Sequence, residues 1–209
     1  MQKIIFLITC FFSFSFSFAQ MQLGLKGGVN LATTRYINDD NSKARVGWNA
    51  GLLAEIPVQD NLLIRPELLY SSKGFAFNAI GTASAGSVKL NYIAVPVLGG
   101  YRPNAKSEIL IGPEFGFLRK AVSKSSGISE DMTGFYRRFD VGFDLGFAYN
   151  FTKFIGAEVR YNYGFKDLQN VVYLNDNGDI TGQGKNGANR VFQFGLYYLF
   201  GQESKLQNK

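Results

Sequence analysis

The chain has 209 residues, the length of a single domain, and its formal net charge at pH 7 is +6. It has no histidine and one cysteine. The absence of histidine removes the usual general base and the commonest metal ligand, which weighs against hydrolases, acyltransferases and metal sites. The basic residues are dispersed along the chain, so we expect no nucleic-acid partner although the sequence pI is near 9.3.

The first 19 residues have the features of a secretory signal peptide. Lys3 precedes an apolar run, and the small residues Ser17 and Ala19 predict cleavage after Ala19. A transmembrane anchor is the alternative, but it needs roughly 20 apolar residues and this run is shorter. Cys10 lies inside the signal peptide, so the mature protein is expected to lack disulfide and thiol chemistry. Lipidation of Cys10 is disfavoured by the preceding Thr9, where a smaller residue is required.

After the signal peptide, apolar residues alternate with small or polar residues in eight segments. An apolar residue at every second position predicts a β-strand with one apolar face. In chain order, the predicted strands are residues 21–31, 45–56, 62–72, 87–101, 107–118, 139–149, 155–165 and 189–200. No stretch of about 20 apolar residues follows residue 20, so no membrane-spanning helix is predicted.

The alternation in residues 137–165 indicates which way the apolar face points. Phe143 and Phe147 alternate there with Asp144 and Gly146. Small and charged residues suit the crowded concave side of a barrel, so we expect the rings to face outwards. Outward rings need an apolar solvent, which is lipid. The predicted strands are also long enough for tilted strands that cross a bilayer, which need roughly 9–11 residues.

Short and long connections alternate strictly between these strands. The short ones are residues 57–61, 102–106 and 150–153, and the long ones are residues 32–44, 73–86, 119–136 and 166–188. Outer-membrane barrels have short periplasmic turns, longer external loops and an even number of strands. We therefore predict an all-β fold: an eight-stranded antiparallel up-and-down transmembrane β-barrel over residues 20–200. Residues 201–209 are predicted to form a flexible periplasmic tail.

Three prolines fall inside predicted strands, namely Pro66, Pro96 and Pro113. Proline has no N–H group for the hydrogen-bond ladder, and a closed barrel has no edge strand on which to place it. We therefore predict bulges or local gaps in the ladders at these three positions.

The inward positions carry charges of both signs, which predicts a network of ion pairs inside the barrel. Buried charges are tolerated only when they are paired, and the lumen of eight strands is just wide enough to be filled by side chains. We expect a plugged interior, with an open channel as the alternative. Arg138 is expected to join the network, whose predicted members are Lys26, Arg65, Glu67, Glu114, Asp140, Asp144, Glu158 and Arg160.

No catalytic, cofactor-binding or metal-binding residue is predicted. Asp140 and Asp144 are four residues apart on one strand, about 13 Å by strand rise, too far for paired carboxylate catalysis. Residues 175–179, NDNGD, could offer oxygen ligands to calcium, but the spacing does not match a full calcium loop and suits a tight turn. Aromatic residues near the strand ends suit the girdles at the two membrane interfaces, with outer-membrane lipid as the expected surroundings.

Three segments resemble the PorT-like outer-membrane β-barrel family of Gram-negative bacteria. They are GLKGGVN at residues 24–30, RPELLYSSKG at 65–74 and NYIAVPVL at 91–98. This chain has Ala94 where the family often has glutamate. The resemblance implies an eight-stranded barrel in the outer membrane, and some members are accessory to protein secretion. It supplies no catalytic residues.

These observations favour a non-enzymatic, monomeric outer-membrane barrel with a structural or interaction role. Its expected partners are secretion or envelope proteins in addition to lipid, and no cofactor is expected. The alternatives are a small channel, a barrel that binds a surface ligand, a soluble lipocalin-like carrier and an enzyme. Enzymatic activity would have to depend on loop carboxylates such as Glu130, Asp131, Asp176 and Asp179.

Overall fold

The computed structural model describes residues 21–35, 42–79, 84–174 and 180–201. The predicted signal peptide, residues 175–179 and the predicted tail after residue 201 lie outside the described residues. Twelve strands occur in the described part: β1 Gln22–Arg35, β2 Ser42–Lys43, β3 Arg45–Gln59, β4 Leu62–Phe77, β5 Gly86–Tyr101, β6 Ser107–Ser125, β7 Ile128–Asp131, β8 Phe139–Asn150, β9 Ile155–Gly164, β10 Gln169–Leu174, β11 Ile180–Asn186 and β12 Ala188–Phe200.

Eight of these strands close into an antiparallel barrel. Its order around the barrel is β4, β3, β1, β12, β9, β8, β6 and β5, and the pairing of β4 with β5 completes the closure. The first and last barrel strands pair over thirteen positions, from Leu23 with Phe200 to Arg35 with Ala188. The predicted eight-stranded antiparallel barrel is confirmed. Over the same described ranges, no helix has the length and apolar character needed to cross a membrane.

The two ends of the barrel differ. The strands are joined by short turns at one end, the short-turn end, where the described chain also begins and finishes. At the other end, the long-loop end, several strands continue beyond their predicted limits, and β6 reaches Ser125 rather than residue 118. β4 reaches Phe77 rather than residue 72 because the inward positions continue through the buried residues Lys73 and Phe75. Parts of the predicted long loops are therefore strand.

Further strands belong to this long-loop end. β7 folds back on β6 through the turn residues Ser126 and Gly127, which both have positive φ, as a two-residue hairpin requires. One turn of 3-10 helix follows at Thr133–Phe135. β10 and β11 form a separate two-stranded sheet. The long-loop end is thus built on folded hairpins.

The ladder gaps predicted at the three prolines are confirmed. Pro66 pairs with Val97 of β5, whereas no pair in the β3–β4 ladder includes it. Pro96 likewise pairs with Glu114 of β6 and is missing from the β4–β5 ladder. Pro113 pairs with Phe143 of β8 and is missing from the β5–β6 ladder. Each proline therefore interrupts one ladder and keeps the other.

The two faces of the strands are as predicted. Phe143, Leu145 and Phe147 on β8 are exposed on the outside, whereas Asp140 and Asp144 are buried inside. Apolar side chains also fill both ends of the lumen. The apolar cluster at the short-turn end consists of Leu53, Leu98, Leu110, Ala148, Tyr197 and Leu199. The apolar cluster at the long-loop end consists of Phe75, Val88, Leu90, Tyr92, Leu118, Ala121, Tyr136 and Leu168.

Glycine on the inner face permits close approach of neighbouring strands. A Cβ atom added at Gly51 would lie 2.0 Å from the carbonyl oxygen of Leu68 and 2.8 Å from the Cα atom of Leu69. Both atoms belong to the backbone of β4, so the strands would have to move apart. Gly27 faces outwards on the neighbouring β1, and the nearest atom to a Cβ there is 3.9 Å away.

We therefore expect Gly51→Ala to lower the free energy of unfolding by about 1–3 kcal/mol, the typical cost of overpacking. Gly27→Ala is the matched control, and its effect should stay within about 0.5 kcal/mol because it meets no clash. Both values are measured by urea unfolding from lipid vesicles. Equal losses in the two variants would contradict the close-approach explanation.

Candidate functional site

The centre of the lumen is an ion-pair network that connects opposite walls of the barrel. Arg160 of β9 donates to both oxygens of Glu67 on β4, from Nη1 to Oε2 at 2.9 Å and from Nη2 to Oε1 at 2.6 Å. β4 and β9 are four strands apart around a barrel of eight, so this bidentate pair spans the lumen. Both side chains are buried. Two parallel bonds fix the geometry of the pair as well as contributing energy.

Lys26 of β1 and Glu158 of β9 complete this central group. The Nζ atom of Lys26 lies 3.2 Å from Oε2 of Glu67 and also donates to Oε1 of Glu158. Nη2 of Arg160 lies 3.0 Å from the same Oε1 atom. Two cations and two carboxylates therefore alternate in space, and each charge has at least two partners of opposite sign.

Towards the short-turn end, the network continues through Arg65. Its Nη2 contacts Glu55 and lies 2.9 Å from Oε1 of Glu108, and its Nη1 lies 3.5 Å from Oε2 of Glu158. Arg102, at the rim, contacts Glu55 and places its Nε 3.0 Å from Oε2 of Glu108. Two arginines thus share two buried carboxylates.

Towards the long-loop end, the network continues through amide side chains. Asp144 accepts from Nη1 of Arg160 at 3.4 Å and from Nδ2 of Asn162 at 2.6 Å. Lys73 donates to Oδ1 of Asn162 at 3.3 Å and to Oε1 of Glu114 at 2.5 Å. This chain of contacts links Glu114 to the central group.

All eight residues of the predicted interior set lie inside the barrel, and seven of them belong to one connected network. Asp140 is not part of this network; it accepts a hydrogen bond from Nδ2 of Asn189 at 2.7 Å. The prediction that Arg138 joins the network is wrong. Its side chain is exposed, because β8 begins one residue later, at Phe139.

Sequence reasoning left out four charged members of the network. Glu55 and Glu108 stand at inward positions of predicted strands, so a pairing scheme could have included them. Lys73 was assigned to a loop, although it continues the inward alternation of Arg65 and Ser71. Arg102 was assigned to a turn, and its position at the rim depends on the turn's conformation.

The lumen holds charges of both signs. Within the described ranges, seven carboxylates share it with five cations, and each cation has a carboxylate partner. Among the described residues, no group of three or more histidine, cysteine, aspartate and glutamate side chains is placed to hold a metal ion. The arrangement is therefore suited to connecting the barrel walls and filling the lumen.

The chain matches the family model described as outer membrane protein beta-barrel domain over residues 15–170. No curated protein matches its sequence.

Solved structures of outer-membrane proteins resemble the chain. Neisserial surface protein A has a TM-score of 0.56 and 12% identity, with 85% of this chain and 97% of that chain covered. Ail, the attachment invasion locus protein of Yersinia pestis, has a TM-score of 0.49 and 15% identity, with 87% and 99% covered. OprG of Pseudomonas aeruginosa has a TM-score of 0.47 and 11% identity, with 88% and 97% covered. The likeness to the Neisserial protein shows a shared fold.

The geometry predicts a large effect of removing one charge from the central pair. Glu67→Gln keeps the size of the side chain but leaves Arg160 and Lys26 with less compensating charge. We expect the free energy of unfolding to fall by about 3–5 kcal/mol, the usual cost of breaking a buried ion pair from one side.

The control is Glu130→Gln, because Glu130 is exposed on β7. Its effect should be within about 0.5 kcal/mol. Both are measured by denaturant unfolding in vesicles, with the change in electrophoretic mobility on heating as a second readout of folding. A loss below about 1 kcal/mol for Glu67→Gln would show that the central pair does not hold the barrel walls together.

Proposed function

Because the chain belongs to the outer membrane protein beta-barrel domain family, we propose that it is a non-enzymatic interaction or structural protein of the outer membrane. In this proposal the barrel is a closed anchor. The long-loop end faces the exterior, as in barrels of this class, and presents the surface that contacts other molecules.

The observation that carries the proposal is the filled lumen. The ion-pair network occupies its centre, and the apolar clusters lie at its two ends. Arg65 and Arg160 are the largest of the fully buried side chains, and both are fixed by carboxylates on other strands. A solute path would require these pairs to separate inside a medium of low dielectric constant, which is strongly unfavourable.

The long-loop end offers a fixed surface. Tyr136 is buried in the apolar cluster there, and this burial raises the pKa of its hydroxyl to about 12. The hydroxyl of Thr133 accepts from the backbone N–H of Ala121 at 3.0 Å. These contacts hold the segment between β7 and β8 against the barrel. Ile128 and Phe135 are 65% and 67% exposed on that segment and the adjoining hairpin, as contact residues would be.

The proposal includes membership of this chain in the PorT-like group of outer-membrane barrels. The three segments at residues 24–30, 65–74 and 91–98 support it, and all three lie in barrel strands. On this basis the expected partners are secretion or envelope proteins, and the barrel acts as an accessory in their assembly.

An enzymatic role has less support. Among the loop carboxylates that the structure describes, Glu130 and Asp131 are exposed. Asp131 accepts the backbone N–H of Thr133 at 2.9 Å, which gives it a role in the turn. The chain has no histidine to act beside them.

The closed lumen predicts that folded protein in planar lipid bilayers gives no stepwise current, because side chains fill the path. A porin that forms an open channel, reconstituted at the same protein-to-lipid ratio, is the positive control. Discrete current steps that require folded protein would favour the small-channel alternative.

The interaction role predicts protein contacts at the long-loop end. A photoreactive phenylalanine analogue at Phe135 should crosslink in intact cells to a defined secretion or envelope protein. The matched control is the same analogue at Leu145, which is exposed on the outer face of β8 and should crosslink mainly to lipid. The same adducts at both positions, or no protein adduct at Phe135, would contradict the proposed role.

A further inference from the structure

Four basic residues lie close to the long-loop boundary of the outer surface, on or beside four neighbouring strands. We call Arg119, Arg137, Lys166 and Arg190 the cationic arc. Arg119 follows exposed Phe117 by two positions on β6, and Arg137 precedes Phe139 of β8 by two positions. Lys166 follows the end of β9, and Arg190 is near the start of β12. These strands are consecutive around the barrel. Because neighbouring strands lie about 4.8 Å apart, the arc spans about 15 Å.

Aromatic rings hold two of these cations at the outer surface. The guanidinium carbon of Arg190 lies 3.5 Å from the ring centroid of Tyr163, and Nζ of Lys166 lies 4.7 Å from that of Phe139. Phe139 in turn packs on Phe117, with ring centroids 5.3 Å apart. Aromatic residues of this kind mark the interface between hydrocarbon and head groups, so the arc lies at head-group level.

The cations of the arc lack the partners that every cation in the lumen has. Within residues 84–174 and the rest of the described chain, no salt bridge joins any of the four to a carboxylate. Nε of Arg137 is buried and has no hydrogen-bond partner in the same described ranges.

Arg190 is held by backbone carbonyl groups rather than by a carboxylate. Its Nη1 donates to the carbonyl oxygens of Gly164 at 2.8 Å and Asn189 at 2.7 Å, which orients the guanidinium group and leaves its other donors available. Asp167 is a half-buried carboxylate in the segment that follows β9, so the arc has a net positive charge.

We infer that the cationic arc binds the phosphates of a phosphorylated glycolipid in the surrounding outer leaflet. Oriented guanidinium groups match phosphate geometry, and an ammonium group adds a point charge. A lipid with two phosphates on one head group can contact cations on two or three neighbouring strands at once. The inference rests on the barrel lying in the outer membrane with its long-loop end outwards, and it is independent of any protein partner.

The test uses the full-length mature protein, folded in neutral detergent and titrated with diphosphoryl lipid A, with native mass spectrometry as the readout. Lipid A from which both phosphates have been removed is the matched ligand. The inference predicts that diphosphoryl lipid A binds more tightly. It also predicts about 30-fold weaker binding to Lys166→Gln/Arg190→Gln, since each basic residue near an anionic surface contributes about fivefold in affinity.

The control variant is Lys43→Gln/Lys89→Gln, which removes the same charge from β2 and β5 at the same end of the barrel. β2 pairs with β4, which lies opposite β9, and β5 is three strands away from β9, so both changes are remote from Lys166 and Arg190. Its affinity should stay within twofold of the unmodified protein. An equal loss in this control, or equal binding of dephosphorylated lipid A, would overturn the inference.

Two further arms complete the test. Arg119→Gln/Arg137→Gln removes the other half of the arc and should weaken binding by a similar factor, which keeps the inference testable if the first variant does not fold. Folding is checked by the change in electrophoretic mobility on heating. Displacement of the lipid by millimolar inorganic phosphate would assign the arc to soluble anions and would overturn the lipid assignment.

Discussion

The bidentate pair between Arg160 and Glu67 is the interaction on which the interior depends. Each charge, taken out of water alone, would cost several kcal/mol, and each is tolerated because the other lies across the lumen. The pair connects β9 to β4, strands that share no backbone hydrogen bonds. The network around this pair fills the centre of the lumen, and the two apolar clusters fill its ends.

Small residues on the inner face make room for this filling. A Cβ atom at Gly156 would lie 2.3 Å from the ring of Tyr197, and one at Gly100 would lie 2.8 Å from the side chain of Leu63. The ring of Tyr197 also lies 5.0 Å from the guanidinium carbon of Arg65. Large inward side chains are thus matched with glycine at the paired position of the neighbouring strand. The outer surface instead carries large apolar side chains such as Phe143 and Leu145, because these side chains face lipid.

The two-residue alternation, as of Phe143 with Asp144, was enough to predict the strands and their two faces, and the strict alternation of short and long connections predicted the barrel. Contacts across the lumen do not follow from that period. The residue order along β4 does not predict the contact between Glu67 and Arg160, because this contact depends on the curvature of the barrel and on the register of its strands. Lys73 was missed because β4 continues past its predicted end at residue 72 to Phe77, and Arg138 was wrongly included because β8 begins just after it.

The most direct test of this account is a double-mutant cycle on the free energy of unfolding in vesicles. It uses Glu67→Gln, Arg160→Gln and the double variant. If the pair connects the two walls, the two substitutions should be strongly non-additive, with a coupling energy of about 2–3 kcal/mol, as for other buried groups in one network. Additive losses, with a coupling energy near zero, would show that the walls are held by the backbone ladders and lipid alone.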